Sequence, residues 1–401
     1  MPNQERLLIT GAGLAGLTCS LALAQAGRSV RLLEQATGPS QEGAGLQLGP
    51  NVTARLRRLG LLESLLPLAG HPRALRLRRL SSHATLSRLP LGPEFAARYQ
   101  DAPYLTIHRA DLIKELLSAN QAVGVQPQWS TRIEHVRQTE LEVQVRTQSG
   151  QVLRADGLIG ADGIWSRCRL AVPAALTNPP RPVGQIAFRG LINDTRHVPA
   201  ELLEEVTVWT RPGLHLVGYP LRAGEAYNLV ALCPIPPDWQ TGSQGWGQPL
   251  PQTVLRSFEA QTHRTVQALL SLATPWHAWA MQANQPLASA ESMHLGRVIL
   301  LGDAAHALRP HLAQGAGMAI EDADRLANAI LQSDEPLHHR LSHAARDRWQ
   351  RNAEVQRASA RNGRLFQMRA PWVWGRDLAL RLFGPRLMDQ PWLYAGKRRT
   401  R

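Results

Sequence analysis

Four short stretches of this 401-residue chain hold the residues whose types and spacing can do chemistry. The first is Gly11-Ala12-Gly13-Leu14-Ala15-Gly16, which follows the apolar run Leu7-Leu8-Ile9 and opens a helical stretch closed by Gly27. Val30 to Glu34 then reads as a second strand. In such a turn Gly11 makes the sharp bend, Gly13 lets the backbone approach a pyrophosphate, and Gly16 lets helix and strand pack closely. Leu14, Ala15 and Gly16 start the helix, whose free N–H groups and partial positive charge attract phosphate. Glu34 ends the second strand, where a carboxylate accepts hydrogen bonds from a ribose 2′-hydroxyl. A glycine triad alone is also the mark of an ordinary tight turn. Strand, triad, helix, strand and acid in this order point to a dinucleotide.

Two further stretches place carboxylates at apolar strand ends. Asp162-Gly163 follows Gly157-Leu158-Ile159-Gly160, and Gly302-Asp303 follows Val298-Ile299-Leu300-Leu301. Such carboxylates suit the hydroxyls of a sugar or polyol, although each residue also suits a helix N-cap. Downstream, Arg309-Pro310-His311 leads to Gln314-Gly315-Ala316-Gly317, a second glycine-rich helix start fit for an anion. The fourth stretch is Leu214 to Tyr219. His215 and Tyr219 are four residues apart in a strand-like run, so they share a face, with Cα atoms roughly 13 Å apart. They can approach one ring from two ends, His215 or Tyr219 acting as general base; the plain alternative is a sheet face holding a satisfied histidine.

The elements that must position these groups alternate between helix and strand. A polar loop from Gly38 to Gly49 precedes a helix with Asn51 as its expected cap, and Arg109 opens another helix. Leu141 to Leu153 reads as a hairpin. Proline clusters near 173–182 mark a boundary, beyond which the runs 185–192, 206–210, 214–219 and 227–233 alternate as strands. Residues 234–251 read as a linker, helix resumes near Thr253, and 314–331 and much of the remainder to Gly384 are helical.

Composition narrows the classes. The three cysteines, Cys19, Cys168 and Cys233, lack metal-ligand spacing, so neither a disulfide framework nor a metal site is expected. The chain enters its first strand almost at once and holds no run near ~18 apolar residues, so no leader, no transmembrane segment and a cytoplasmic setting are expected. The formal charge is +14, with arginines spread along the chain and a basic tail, Lys397 to Arg401. The plain reading is a solvated, arginine-rich surface. Of the functional readings, steering an anionic substrate or cofactor is better than a tail contact with membrane or nucleic acid, since no nucleic-acid motif accompanies the charge.

Taken together, the glycine triad, Asp162-Gly163 and Gly302-Asp303 with its proline and glycines resemble the single-component FAD-dependent aromatic hydroxylases. The resemblance implies an α/β fold: a Rossmann-like, GR2-type FAD domain (1–75, 104–172, 284–335), an inserted mixed β-sheet substrate domain (76–103, 173–283) and a helical C-terminal region (336–401). It implies that Gly11, Gly13, Leu14, Ala15, Gly16 and Glu34 hold the ADP half of FAD. Arg109 would lie near the pyrophosphate or ribityl, Asp162-Gly163 near the pyrophosphate and NAD(P)H path, and Gly302-Asp303 on the ribityl chain. Pro310, Gly315, Ala316 and Gly317 would lie along the isoalloxazine, with Gln47 also among the cofactor-binding residues. NADH or NADPH would reduce the flavin, and a flavin C4a-hydroperoxide would pass oxygen to a small, anionic aromatic ring. The loop 43–51 and the His-x-x-x-Tyr pair look most like the salicylate and 3-hydroxybenzoate branch. Arg309-Pro310-His311 is similar to hydroxypyridine hydroxylases and widens the substrate to heteroaromatic rings. A ubiquinone-type ring hydroxylase at a membrane surface and a non-catalytic flavin-binding protein are the alternatives, and a homodimer is left open.

Overall fold

One parallel sheet carries all three dinucleotide-type motifs. In the computed structural model, which describes residues 5–40, 43–235, 248–249 (backbone only) and 262–397, strand Arg6–Thr10 lies between Ser29–Leu33 and Gly157–Gly160. Val298–Leu300 pairs parallel beyond Gly157–Gly160, and His294–Leu295 closes that edge antiparallel. Continuous apolar runs such as Leu7-Leu8-Ile9 form these strands because helices cover both faces. Leu17, Leu21, Ile320 and Leu326, from helices Leu14–Gln25 and Gly315–Leu331, share one core with Ile9 and Ile159. A three-stranded meander, Ile133–Gln138, Val143–Thr147 and Val152–Ala155, delivers the chain to Gly157–Gly160.

The second layer is an eight-stranded, mostly antiparallel sheet. Its order is Gln248–Pro249, Trp276–Ala283, Arg181–Ile192, Ala226–Pro234, Leu214–Leu221, Glu205–Arg211, Ala74–Arg79 and Thr85–Pro90. Ala74–Arg79 joins Glu205–Arg211 in parallel, so the early hairpin completes a sheet otherwise built from residues after 180. The short pair Gly45–Leu48 and Leu105–His108 spans the two layers. There Gly45 accepts Tyr219 from the large sheet as a hydrogen-bond partner, Tyr219 Oη donating to its carbonyl at 2.6 Å.

Helices Leu337–Phe366, Trp372–Met388 and Pro391–Tyr394 finish the chain. Buried charge fastens them. Glu321 and Asp322 on Gly315–Leu331 are fully buried and face Arg348 and Arg351 of Leu337–Phe366, with Arg351 Nε 2.6 Å from Glu321 and Arg348 Nε 2.8 Å from Asp322. The same Arg351 guanidinium donates to the carbonyls of Trp392 and Leu393, at 3.2 and 3.0 Å, and of Lys397 at 2.5 Å. Asn51 joins this network and is not a helix cap. Gly49 caps Pro50–Arg58, while Asn51 Nδ2 donates to Gln314 at 3.0 Å and Glu321 at 2.7 Å. Most of the expected linker 234–251, the helix near Thr253 and the tail beyond Lys397 lie outside the described residues. Among the described residues no helix is long and apolar enough to cross a membrane.

Breaking a buried ion pair from one side leaves a charge without its partner, at about 3–5 kcal/mol. Arg351→Met should therefore lower unfolding stability at neutral pH by about that amount. The arginines hold the Glu321 carboxyl near 2, below its ordinary 4.5, so its contribution is complete above pH 4.5 and is lost as pH falls toward 2. Urea titrations across that window should show the gap between parent and variant narrowing with acid. A gap independent of pH would contradict the role given to Glu321.

Candidate active site

The glycine turn needs glycine at two positions for steric reasons. Gly11 has φ +92°, and a Cβ there would stand 2.3 Å from the Ala161 carbonyl oxygen, so the turn abuts the Asp162 loop directly. A Cβ on Gly16 would stand 1.9 Å from the Gly11 oxygen. Gly13 is different: nothing lies within 4 Å of where its Cβ would be. That open side adjoins the start of Leu14–Gln25, which carries no acid in its first turn and no side-chain cap. The amides of Leu14, Ala15 and Gly16 therefore face space fit for an anion. Glu34 braces this turn, accepting from Ala12 N at 2.7 Å and from Ala36 N at 2.8 Å, with a second lone pair left on each oxygen. Arg109 lies within the fields of Glu34 and Asp303 and hydrogen-bonds neither, while burial lowers its pKa against their attraction.

The two strand-end aspartates take different parts. Asp162 Oδ2 accepts from the amides of Arg167, at 2.8 Å, and Cys168, at 3.2 Å, so its carboxylate shapes its own loop. Gly163, at φ +77°, has nothing within 4 Å of its Cβ position. Asp303 caps nothing: Gly302 is the N-cap, with φ +56°, and Asp322 supports that turn by accepting from Gly302 N at 3.1 Å and pairing with His306 at 2.5 Å. The Asp303 carboxyl is open to the cavity but walled by protein elsewhere, and this enclosure raises its pKa despite His306 and Arg109.

Asp303, Pro310, Gly315, Ala316 and Gln47 line a cavity of 1070 Å³ between the two sheets and the C-terminal helices. Gln47 is held by Tyr104 Oη at 2.8 Å. Gly317 packs instead against Gln314, whose Oε1 would stand 2.7 Å from an added Cβ, so only its amide belongs to the free helix start.

His215 and Tyr219 both line the cavity, yet their chemistry diverges. His215 is 1% exposed, its Nδ1 has no hydrogen-bond partner, and burial beside His311 lowers its pKa to about 3. It is a neutral imidazole with a free nitrogen. Tyr219 spends its proton on the Gly45 carbonyl, and burial pushes its pKa well above 10. The expectation that Tyr219 shares the base role is corrected: it is a donor that ties the large sheet to Gly45–Leu48.

One side chain of the cavity escaped the sequence reading. Arg189 lines the cavity from strand Arg181–Ile192, stacks 4.8 Å from the Trp279 ring and leaves its Nε buried without a partner. A lone arginine inside Ile186-Ala187-Phe188-Arg189-Gly190-Leu191-Ile192 was the available signal. His311, read from the sequence only as part of Arg309-Pro310-His311, comes within 5.1 Å of His215, ring to ring, and neither of its nitrogens has a partner. Burial and Arg309 lower its pKa to about 4.

Comparison with known proteins bears on this arrangement. The FAD binding domain family model matches residues 5–356. The 6-hydroxynicotinate 3-monooxygenase of Bordetella bronchiseptica is 33% identical over 94% of this chain and 97% of its own. The 3-hydroxybenzoate 6-hydroxylase of Polaromonas naphthalenivorans is 32% identical over 91% and 89%. Among solved structures, Klebsiella pneumoniae HpxO complexed with FAD and uric acid superposes with a TM-score of 0.84 at 22% identity, over 96% of this chain and 95% of that one. A salicylate hydroxylase substrate complex gives 0.81 at 24%, over 99% and 98%. These last two share the fold. Neither the membrane-surface hydroxylase nor the non-catalytic alternative finds support among them.

The open side of Gly13, the free helix starts, Arg109 and the unpartnered Asp303 carboxyl fit FAD. A hydrogen bond to a charged group contributes about 1.5–3 kcal/mol, so Asp303→Ala should weaken FAD binding to the apoprotein by that amount. An unchanged Kd with only a lowered Tm would leave Asp303 a structural residue.

Proposed function

The chain belongs to the FAD-dependent aromatic monooxygenases, and from that premise we propose that it hydroxylates an anionic hydroxy-aromatic or hydroxy-heteroaromatic acid. NADH or NADPH supplies two electrons, one oxygen atom of O₂ enters the ring, and the other leaves as water. FAD, when bound, supplies the electron transfer and the activation of oxygen. The chain's own residues bind the ring, orient it and manage its hydroxyl proton.

One observation carries this reading: His215 and Arg189 line the cavity that Asp303, Pro310 and Gly315 also line, and each holds a buried polar atom without a partner. Arg189 is a cation drawn largely out of water, and burial lowers its pKa. A substrate carboxylate restores a partner to it as a charge-assisted hydrogen bond. His215 accepts the substrate hydroxyl's proton, which raises electron density in the ring before oxygen is inserted. The resulting imidazolium has the new phenolate as its counter-charge. Tyr219 acts as a positioning residue through Gly45, two residues from Gln47. The relatives that act on hydroxynicotinate and hydroxybenzoate support an acid of either ring type.

A cytoplasmic setting suits the NAD(P)H supply and the three buried, unpaired cysteines. A homodimer suits helix Trp372–Met388, whose Trp372, Leu378, Leu382 and Phe383 are 75%, 58%, 64% and 55% exposed. A helix apolar on so many sides normally packs against a second surface, here a second copy. Sedimentation should give twice the 44.2 kDa chain mass, and a monomer at micromolar concentration would remove that part.

Electron transfer from NAD(P)H needs no base, whereas oxygen insertion into the ring does. His215→Ala should keep substrate-stimulated NAD(P)H oxidation, lose product formation by about 10²–10⁴-fold and release peroxide. Tyr219→Phe should stay coupled. Because His215 of the free enzyme titrates near 3, the acid limb of its pH profile should lie well below the ordinary histidine value of 6.5. Wild-type coupling in His215→Ala would show that the proton leaves elsewhere.

A further inference from the structure

One face of the eight-stranded sheet floors the cavity, and its register lays a row of side chains straight across. Arg189 stands opposite Val230, Val230 opposite Val217, Val217 opposite Val208, and Val208 opposite Leu77. All five line the cavity. With strands about 4.8 Å apart, the row from Arg189 to Leu77 is roughly 19 Å long. The groups assigned to reading the acid and its hydroxyl sit toward one end. Arg189 begins the row, and His215 and Tyr219 flank Val217 on strand Leu214–Leu221. Past that strand the floor continues for two more strands, roughly 10 Å, with only Val208 and Leu77 in the row.

The wall facing this extension brings apolar side chains too, beside Arg376, whose guanidinium is already engaged by Asp377 and by the carbonyls of Leu365 and Phe366. Phe366, Leu380 and Met388, from the last two long helices, border the cluster of Leu77, Leu86 and Val208 while lining the same cavity. Protein interiors close voids of this kind, because side chains lining a gap lose their dispersion partners. Ligand pockets usually measure about 300–1,000 Å³, and this one, which a flavin ring and a substrate would share, measures 1070 Å³. A single-ring acid anchored on Arg189 ends near Val217 and leaves the extension without an occupant. A polar group placed there would lose its hydration, since Val208, Leu77, Phe366, Leu380 and Met388 offer no side-chain hydrogen bond.

We propose that this extension is a subsite for an apolar substituent, so that the substrate is a hydroxy-aromatic acid bearing an alkyl chain or second apolar ring opposite its carboxylate. The inference rests on the hydroxylation reading above and names its substrate class. Met388 suits the task, being a flexible side chain that follows irregular apolar shapes.

The probes are 3-hydroxybenzoate and the same acid carrying methyl to hexyl chains at C4, titrated into the FAD-loaded protein. Kd is read from the flavin absorbance change, and product per NAD(P)H consumed is measured in the same samples. Each buried methylene should tighten Kd about fourfold until the extension is filled. Val208→Trp, which fills it with an indole, should remove that dependence on chain length. A wild-type Kd that stays flat or weakens with chain length overturns the subsite, as does an unaltered dependence in Val208→Trp. Tightening without any hydroxylated product keeps the subsite and overturns the reaction; product without tightening does the reverse.

Discussion

Glu321 is the carboxylate on which the working parts of this molecule depend. It is fully buried, and a buried charge persists only where its surroundings replace water. Arg351 and Arg348, both from helix Leu337–Phe366, and Asn51 do so, and each reaches a different part of the site. Asn51 ties in the loop that ends at Gln47 and Gly49, and Gln314 at the head of Gly315–Leu331 shares its amide. Arg348 extends the network to Asp322, which supports the Gly302 turn and so aims Asp303. Arg351 reaches the carbonyls of the C-terminal turn that closes the cavity. Replacement of such a network by apolar side chains is often neutral for stability. What it provides here is registration of three separate cavity walls on one carboxylate.

The cavity has a polar region and an apolar one for a topological reason. The eight-stranded sheet presents alternate residues to it, and neighbouring strands keep those residues in register. Arg189, Val230, Val217, Val208 and Leu77 therefore follow one another as strictly as residues along one strand. The polar groups cluster near the flavin-side loops because Tyr219 must meet Gly45 there. Burial does the remaining electrostatic work. It holds His215 and His311 neutral and leaves Arg189 a cation with an unpartnered donor, the arrangement on which the proposed anionic, hydroxyl-bearing substrate rests.

The parts of this design legible in the sequence are those whose cause is local. Gly11 and Gly16 announce themselves because only glycine tolerates an atom at 2.3 or 1.9 Å, and the strand before them is a plain apolar run. The α/β class came with the family resemblance that these motifs carry. Residues whose role is set by distant partners were misread. Asn51 looked like a helix cap, yet its partners lie 263 and 270 positions away. Tyr219 looked like a candidate general base, yet its hydroxyl donates to an acceptor 174 positions upstream. Strand Thr85–Pro90 and the parallel docking of Ala74–Arg79 had no local signature, because their pattern makes sense only once Glu205–Arg211 is alongside. Arg189 was visible as an arginine in an apolar strand, but the cavity it faces is made by other strands and by the C-terminal helices.

The most direct test follows the oxygen atom. FAD-loaded protein is supplied with NAD(P)H, a hydroxy-aromatic acid and ¹⁸O₂ in ordinary water, and the product is weighed by mass spectrometry. The expected result is one ¹⁸O atom in each new ring hydroxyl, with one NAD(P)H consumed per product. A hydroxyl oxygen drawn from water, or NAD(P)H consumption that never yields a labelled ring with any hydroxy-aromatic or heteroaromatic acid, would contradict it.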